Sequence, residues 1–249
     1  MKFKSKFLSK YTAAVVAVLL ILNISGCVKK DFPSQITQVL FVPLSPNATA
    51  VDFAINGVLF ATTVGYTTTA GTLNYQLPYY TLYPQDASVI AYKNPSGSNN
   101  TLAAITADLQ SDKVYSTFLI DYAASAKVVI VNDDLRDPSS GKVKIRFFNF
   151  SPNAPAMDVV YTNAAGTVVK LFTGRAFNGQ VNNPDYEKFS EIEAGVYTFL
   201  FNDAVTGATI YTTSALTLKP DRIYTLASRG FIGGPTGQAI GGFLYPNKP

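Results

Sequence analysis

The chain has 249 residues, of which 47% are hydrophobic and only 14% charged, with one cysteine and no histidine. Its formal charge of +4 comes from the N-terminus: four of its twenty Lys and Arg (Lys2, Lys4, Lys6, Lys10) and none of its sixteen Asp and Glu lie in the first 26 residues, so the other 223 carry sixteen of each sign. A neutral body excludes nucleic acid as a partner, since phosphates are held by clustered Lys and Arg. The missing histidine and the lack of a spare thiol argue against the usual triads, general bases and Cys- or His-ligated metals, so no catalytic residue, cofactor or metal is expected.

The first predicted element is a helical secretory signal peptide over 1–26, with a basic head, an apolar run from Ala13 to Leu22 and small residues before Cys27. That run is too short to span a hydrocarbon core, which takes about 20 residues. Ile24-Ser25-Gly26-Cys27 resembles the bacterial lipobox. The resemblance implies a lipid on the Cys27 thiol, cleavage before Cys27 and a membrane held through that N-terminal lipid. Residues 27–36 are then a lipidated tether. Cys27-Val-Lys-Lys-Asp31 is similar to the processed ends of Bacteroidetes-type lipoproteins, which implies the outer membrane or the cell surface.

Two stretches beyond the tether copy one another. Ser45-Pro46-Asn47-Ala48 and Ser151-Pro152-Asn153-Ala154, with Phe41/Phe147 and Asp52/Asp158, share one offset, and Asp112–Ser116 echoes Asp221–Thr225. Such a long period suits tandem globular domains. Period-two alternation at Val143, Ile145 and Phe147, and at Tyr197, Phe199 and Phe201, reads as strands with one buried face. Asn56-Gly57 reads as a two-residue hairpin turn and Ala239–Tyr245 as a final strand. The fold class is all-β, with a sandwich of about seven strands in each repeat. The domains are 37–132 and 142–249, joined by a polar, solvated linker over 133–141.

The second repeat resembles the domain-of-unknown-function family 4397. The residues carrying the likeness are Arg146-Phe147, Asn149, Ser151-Pro152, Ala154-Pro155, Asp158, Ala194-Gly195, Tyr197 and Tyr224-Thr225. The first repeat departs from it with Leu40 for the arginine, Pro43 for the asparagine, Thr49 for the second proline and Ser88 for the glycine. The resemblance implies tandem immunoglobulin-like β-sandwich domains and an exported location, and brings no ligand or activity.

Several residues invite a functional reading. Asp52 and Asp158 follow the Ser-Pro-Asn-Ala turns at the heads of alternating strands, where a carboxylate either ligates a metal or accepts hydrogen bonds from the turn amides and fixes the turn; the second is expected. The linker carboxylates Asp133, Asp134 and Asp137 offer calcium ligands, with Asp112 or Asp221 as a further donor, but an ordinary linker is expected. Glu187, Glu191 and Glu193 are expected to be solvated edge carboxylates and not a glycosidase pair. The Gly230–Gly237 loop has no phosphate-binding spacing and reads as a flexible connection. Pro78 and Pro84 bracket Tyr79, Tyr80 and Tyr83, whose rings form a ligand platform if they share an exposed face. The functional expectation is a non-catalytic envelope lipoprotein, an adhesion, scaffold or partner-binding module facing an envelope protein. The alternative is a carbohydrate-binding accessory of a glycan uptake system, using those tyrosines.

Overall fold

Short strands separated by turn residues run along the whole of the computed structural model, which describes residues 35–48, 50–66, 78–95, 100–163 and 165–248. The expected signal peptide, Cys27 and nearly all of the tether lie outside the described residues. The first repeat supplies β1 (Thr37–Pro43), β2 (Ala50–Ile55), β3 (Val58–Gly65), β4 (Tyr79–Leu82), β5 (Ser88–Lys93), β6 (Thr101–Ala107), β7 (Val114–Ile120) and β8 (Lys127–Asn132). The second supplies β9 (Lys142–Asn149), β10 (Met157–Thr162), β11 (Val168–Arg175), β12 (Ser190–Glu193), β13 (Gly195–Tyr197), β14 (Leu200–Asp203), β15 (Thr209–Thr212), β16 (Leu216–Leu218), β17 (Ile223–Arg229) and β18 (Gly241–Lys248). Among the described residues the helical segments are 3₁₀ turns at Ala123–Ser125, Gly179–Val181 and Pro184–Glu187.

The duplication seen in the sequence is a duplication of topology. The first repeat forms sheets ordered β4-β1-β7-β8 and β3-β2-β5-β6; the second forms β12-β9-β17-β18 and β11-β10-β14-β15, with a small β13-β16 ribbon added. In both, the first strand pairs in parallel with the penultimate one: Leu40 lies opposite Ser116, and Arg146 opposite Thr225. The Asn56-Gly57 turn has φ of 50° and 82°, the pair of positive angles that a type I′ hairpin requires. Pro78 and Pro84 leave β4 at a sheet edge, where a missing N–H donor costs no ladder bond.

Two expectations change. The Tyr197–Phe201 alternation is not one strand, because the chain leaves β13 after Tyr197 and enters β14 at Leu200 in another sheet. Phe199 at the crossing exchanges backbone and side-chain hydrogen bonds with Thr213, which holds both amides while the ladder switches. The Gly230 loop is also closed instead of slack: Phe231 and Gln238 are bonded at 2.9 Å, and a Cβ on Gly230 would stand 2.2 Å from the Ala239 carbonyl oxygen.

Packing explains the order of the layers. Val39, Phe41, Tyr115 and Leu119 face Phe53, Ile55, Ile90 and Tyr92, which makes the core of the first sandwich. Ile145, Phe147, Tyr224 and Leu226 meet Met157, Val159, Phe199 and Phe201 in the second. The alternate residues of the same strands form a third core, in which Leu40, Val42, Phe118 and Val129 of the first repeat pack on Phe148, Phe150, Phe243 and Tyr245 of the second. The sheets containing β1 and β9 are therefore buried on both faces, and their apolar runs are continuous instead of alternating. Residues 35–249 form one compact unit built on that shared layer.

Phe118 lies at the centre of the shared layer, with its ring 4.9 Å from Phe150 and 5.8 Å from Phe148. Phe118→Ala should cost about 3–5 kcal/mol, as buried aromatic truncations do. Denaturant unfolding followed by far-UV circular dichroism should show a single transition moved to lower denaturant; an unmoved midpoint would contradict the shared core.

Candidate functional site

Arg146 on β9 and Asp133, the residue after β8, form a buried ion pair. Both side chains are fully inaccessible, and an Nη2 of Arg146 donates to Asp133 Oδ1. The other carboxylate oxygen, Oδ2, accepts from Tyr79 Oη at 2.8 Å, Ser116 Oγ at 2.6 Å and Asn247 Nδ2 at 3.2 Å. Arg146 Nε donates to Thr225 Oγ1 at 2.9 Å, and Thr225 donates on to Asn247 Oδ1 at 2.6 Å. Tyr245 Oη reaches Ser116 Oγ at 3.2 Å. The guanidinium lies 4.4 Å from the Phe189 ring centre and 5.0 Å from that of Phe148. Burial works against the Arg146 charge, but the adjacent Asp133 carboxylate and the Tyr245 hydroxyl together more than offset it and hold the pKa above its ordinary value. Burial, and then Asp133, push the Tyr79 hydroxyl up, so it remains a donor. This cluster is built to hold strands together, because its members are engaged by one another and shut off from solvent.

The linker that contains Asp133 is not an ordinary solvated one. Asp134 pairs with Arg136 at 2.6 Å, Asp137 pairs with Lys248, Lys144 Nζ donates to the Arg136 carbonyl at 2.7 Å, and Pro138 is buried. Ser139 donates through its amide and hydroxyl to Glu191, and the Gly141 amide donates to Asp221 Oδ1 at 2.9 Å. Each of the three linker carboxylates considered for calcium faces a cation of the chain. Among the described residues no three His, Cys, Asp or Glu gather as a metal cluster.

The remaining sequence candidates are spread out. Asp52 accepts from the Thr63 amide at 2.8 Å, and Asp158 from the Gly174 amide at 2.9 Å and Lys170 at 2.8 Å. Those amides belong to strand irregularities with φ of 55° and 59°, so the carboxylates pin bulges and not the preceding turns. Glu191 and Glu193 lie on the edge strand β12, and Glu193 pairs with Lys142 at 3.1 Å; half-buried Glu187 ends a 3₁₀ turn and is pushed up by burial. The three tyrosines do not share a face. Tyr79 points into the buried cluster, Tyr80 stacks on Phe41 at 5.0 Å, and Tyr83 alone is open to solvent, at 74% exposure.

Tyr83 has other company. The register that puts Thr37 opposite Leu82 sets exposed Ile36 beside it. Two residues on, Gln85 accepts from Asn56 Nδ2 at 2.7 Å, and Asn56 in turn bonds Val89, which gathers the exposed side chains of Val58, Leu59 and Val89 at the same end of the first sandwich. Exposed Asp86, Asp108 and Asp112 rim this end. Sequence reading missed both the central cluster and this end. The signal for the first was an arginine inside the apolar run Ile145–Phe150; the second depends on contacts between distant turns.

Arg146→Leu, which copies Leu40 of the first repeat, should cost about 3–5 kcal/mol because it strands Asp133 in the interior. Arg146→Leu combined with Asp133→Asn should recover most of that loss in urea unfolding. An equal loss in both variants would show that the pair is not coupled. Stability should also fall in acid. Arg136 holds Asp134 at about 2, and Lys170 holds Asp158 below its ordinary value. Folded pKa values below the unfolded one mean stabilisation that is complete above about pH 4 and lost as pH falls toward about 2. Thermal melts across that window should flatten in an Asp134→Asn/Asp158→Asn variant.

No curated protein matches the chain. Among solved structures it is similar to the pneumococcal glycogen-degrading virulence factor SpuA (11% identity, TM-score 0.27, 83% of this chain and 21% of that one). It is also similar to the Bacillus anthracis TIE protein (12% identity, TM-score 0.22, 85% and 43%). A third likeness is to α-glucan-recognising family 41 carbohydrate-binding modules from streptococcal virulence factors (14%, TM-score 0.25, 84% and 97%). The chain thus spans about a fifth of the first and under half of the second. A family match covers the first repeat and the start of the second; Ala194, Gly195, Tyr197, Tyr224 and Thr225, read above as carrying the resemblance, fall beyond it. Residues 37–160, from β1 into β10, match the family described as Domain of unknown function (DUF4397).

Proposed function

We propose that the chain is a non-catalytic partner-binding or scaffold module of the bacterial cell envelope, tethered to the outer membrane by lipid on Cys27. The observation that carries the reading is the division of labour between interior and surface. The central charges are engaged by one another, while Ile36, Val58, Leu59, Tyr83 and Val89 stand in solvent at one end of the first sandwich. Exposed apolar side chains with a charged rim are what a protein partner covers. The rim carries Asp86, Asp108 and Asp112 against Lys113, an acidic excess that favours a partner with a basic rim. Glycan capture would have to rest on Tyr83 without its two neighbours, so the protein partner is the better fit. The lipobox spacing before Cys27 supports the tether.

Photo-cross-linking from Leu59 and Tyr83 in intact cells should trap an envelope protein, and Cys27→Ser should move the chain out of the membrane fraction. A chain that stays with membranes after Cys27→Ser overturns the anchor. Absence of any adduct from both positions overturns the binding end.

A further inference from the structure

Among the described residues, every outer strand of the four four-stranded sheets but one carries a device that discourages strand addition, and the strands of the β13-β16 ribbon are only three residues long. β3 has the irregularity at Thr63, β4 lies between prolines, β8 begins with Lys127, β11 bears Lys170 and Arg175, β12 bears Glu191 and Glu193, β15 is four residues long, and β18 contains Pro246 and Lys248. The exception is β6, Thr101-Leu-Ala-Ala-Ile-Thr-Ala107, an edge strand of seven residues with no charge and no proline. A bulge at its start, where Tyr92 pairs with Ala103 and Lys93 with Thr101, leaves Ala103–Ala107 regular. A bare, uncharged edge offers a row of backbone donors and acceptors to another strand.

We propose that β6 pairs antiparallel with β6 of a second copy of this chain, so that the outer sheets of two first repeats join into one eight-stranded sheet. A two-fold axis across the sheet keeps like faces together, and centring it on Ile105 gives a self-consistent register. Ile105 then meets its own copy on the face turned to the sandwich core, flanked by Ala103 opposite Ala107, while Ala104 meets Thr106 on the outer face. The small neighbours leave room for the isoleucine pair. Charge selects the direction and the occupant. Lys93 stands beside the start of β6, opposite Thr101, and Asp108 follows its end. Antiparallel self-pairing sets the positive end of each copy against the negative end of the other, whereas parallel pairing sets like charges side by side.

The test is sedimentation of the full chain in detergent, as wild type and as Ala104→Lys/Thr106→Lys. The variant puts lysine opposite lysine twice at exposed positions, and it should weaken association at least tenfold while its thermal unfolding stays that of the wild type. Lys93→Asp should weaken association to a lesser degree. A wild-type chain that remains single at about 100 μM overturns the proposal. So does a double variant that stays paired, which places the contact elsewhere, and so does a wild type that takes up a foreign strand at β6 in preference to its own copy.

Discussion

The ion pair between Arg146 and Asp133 is the constraint around which the two repeats are arranged. A guanidinium and a carboxylate with no solvent access are costly to bury, and hydrogen-bond partners offset that cost at both Asp133 oxygens and at Arg146 Nε and Nη2, while Arg146 Nη1 is left without one. Here the partners come from both repeats: Tyr79 and Ser116 from the first, Thr225 and Asn247 from the second. Each of those side chains sits on a different strand of the two central sheets. The pair therefore fixes the sliding register of one sheet on the other, a degree of freedom that apolar packing of Leu40, Phe118, Phe148 and Phe243 leaves loose. A buried pair is weak evidence for stability, and its value lies in this specificity.

Equivalent positions in the two repeats explain why the pairing is between unlike halves. Leu40 and Arg146 occupy the same place in β1 and β9; Ser116 and Thr225 are the residues opposite them. Val131 faces Ser116 as Tyr245 faces Thr225; two residues further, Asp133 and Asn247 both turn into the cluster, although a bulge at Asn247 puts Lys248 opposite Ile223. Two first repeats brought together would bury Asp133 against its own copy, and two second repeats would do the same with Arg146. Each homotypic arrangement leaves like charges without partners, at a cost of several kcal/mol, while the mixed one joins them. Duplication supplied the matching surfaces, and divergence at a handful of inward positions chose the mate.

Much of this fold was legible because strands announce themselves locally. The Asn56-Gly57 turn, the edge position forced on β4 by its prolines and the repeat of Ser-Pro-Asn-Ala each depend on a few adjacent residues. The third core was less legible, although Val39-Leu-Phe-Val42 and Lys127-Val-Val-Ile-Val131 show apolar residues on both faces, which is the mark of a sheet covered twice. Asp133 could not be placed from its neighbours, since Asn132-Asp-Asp-Leu-Arg-Asp137 reads as solvated and its buried partner lies thirteen residues away in another sheet. The tyrosines failed for a related reason. Alternation says that Tyr79 and Tyr80 face opposite ways, but only the packing of three layers makes both directions interior.

Burying both faces of the central sheets also decides where recognition can occur. A free-standing sandwich offers ends, edges and two outer faces; here the inner sheets have surrendered theirs, and what remains are the two outer sheets, the loops and the free edges. The repeats do not offer these equally. The outer sheet of the second ends in β11, with Lys170 and Arg175, and in the short β15, while that of the first ends in the uncharged β6 and in the hairpin that exposes Val58 and Leu59. The second repeat contributes the arginine that organises the interior. The first, freed of that residue by Leu40, keeps the apolar end and the unprotected edge, so structural and recognition roles have separated along the duplicated chain.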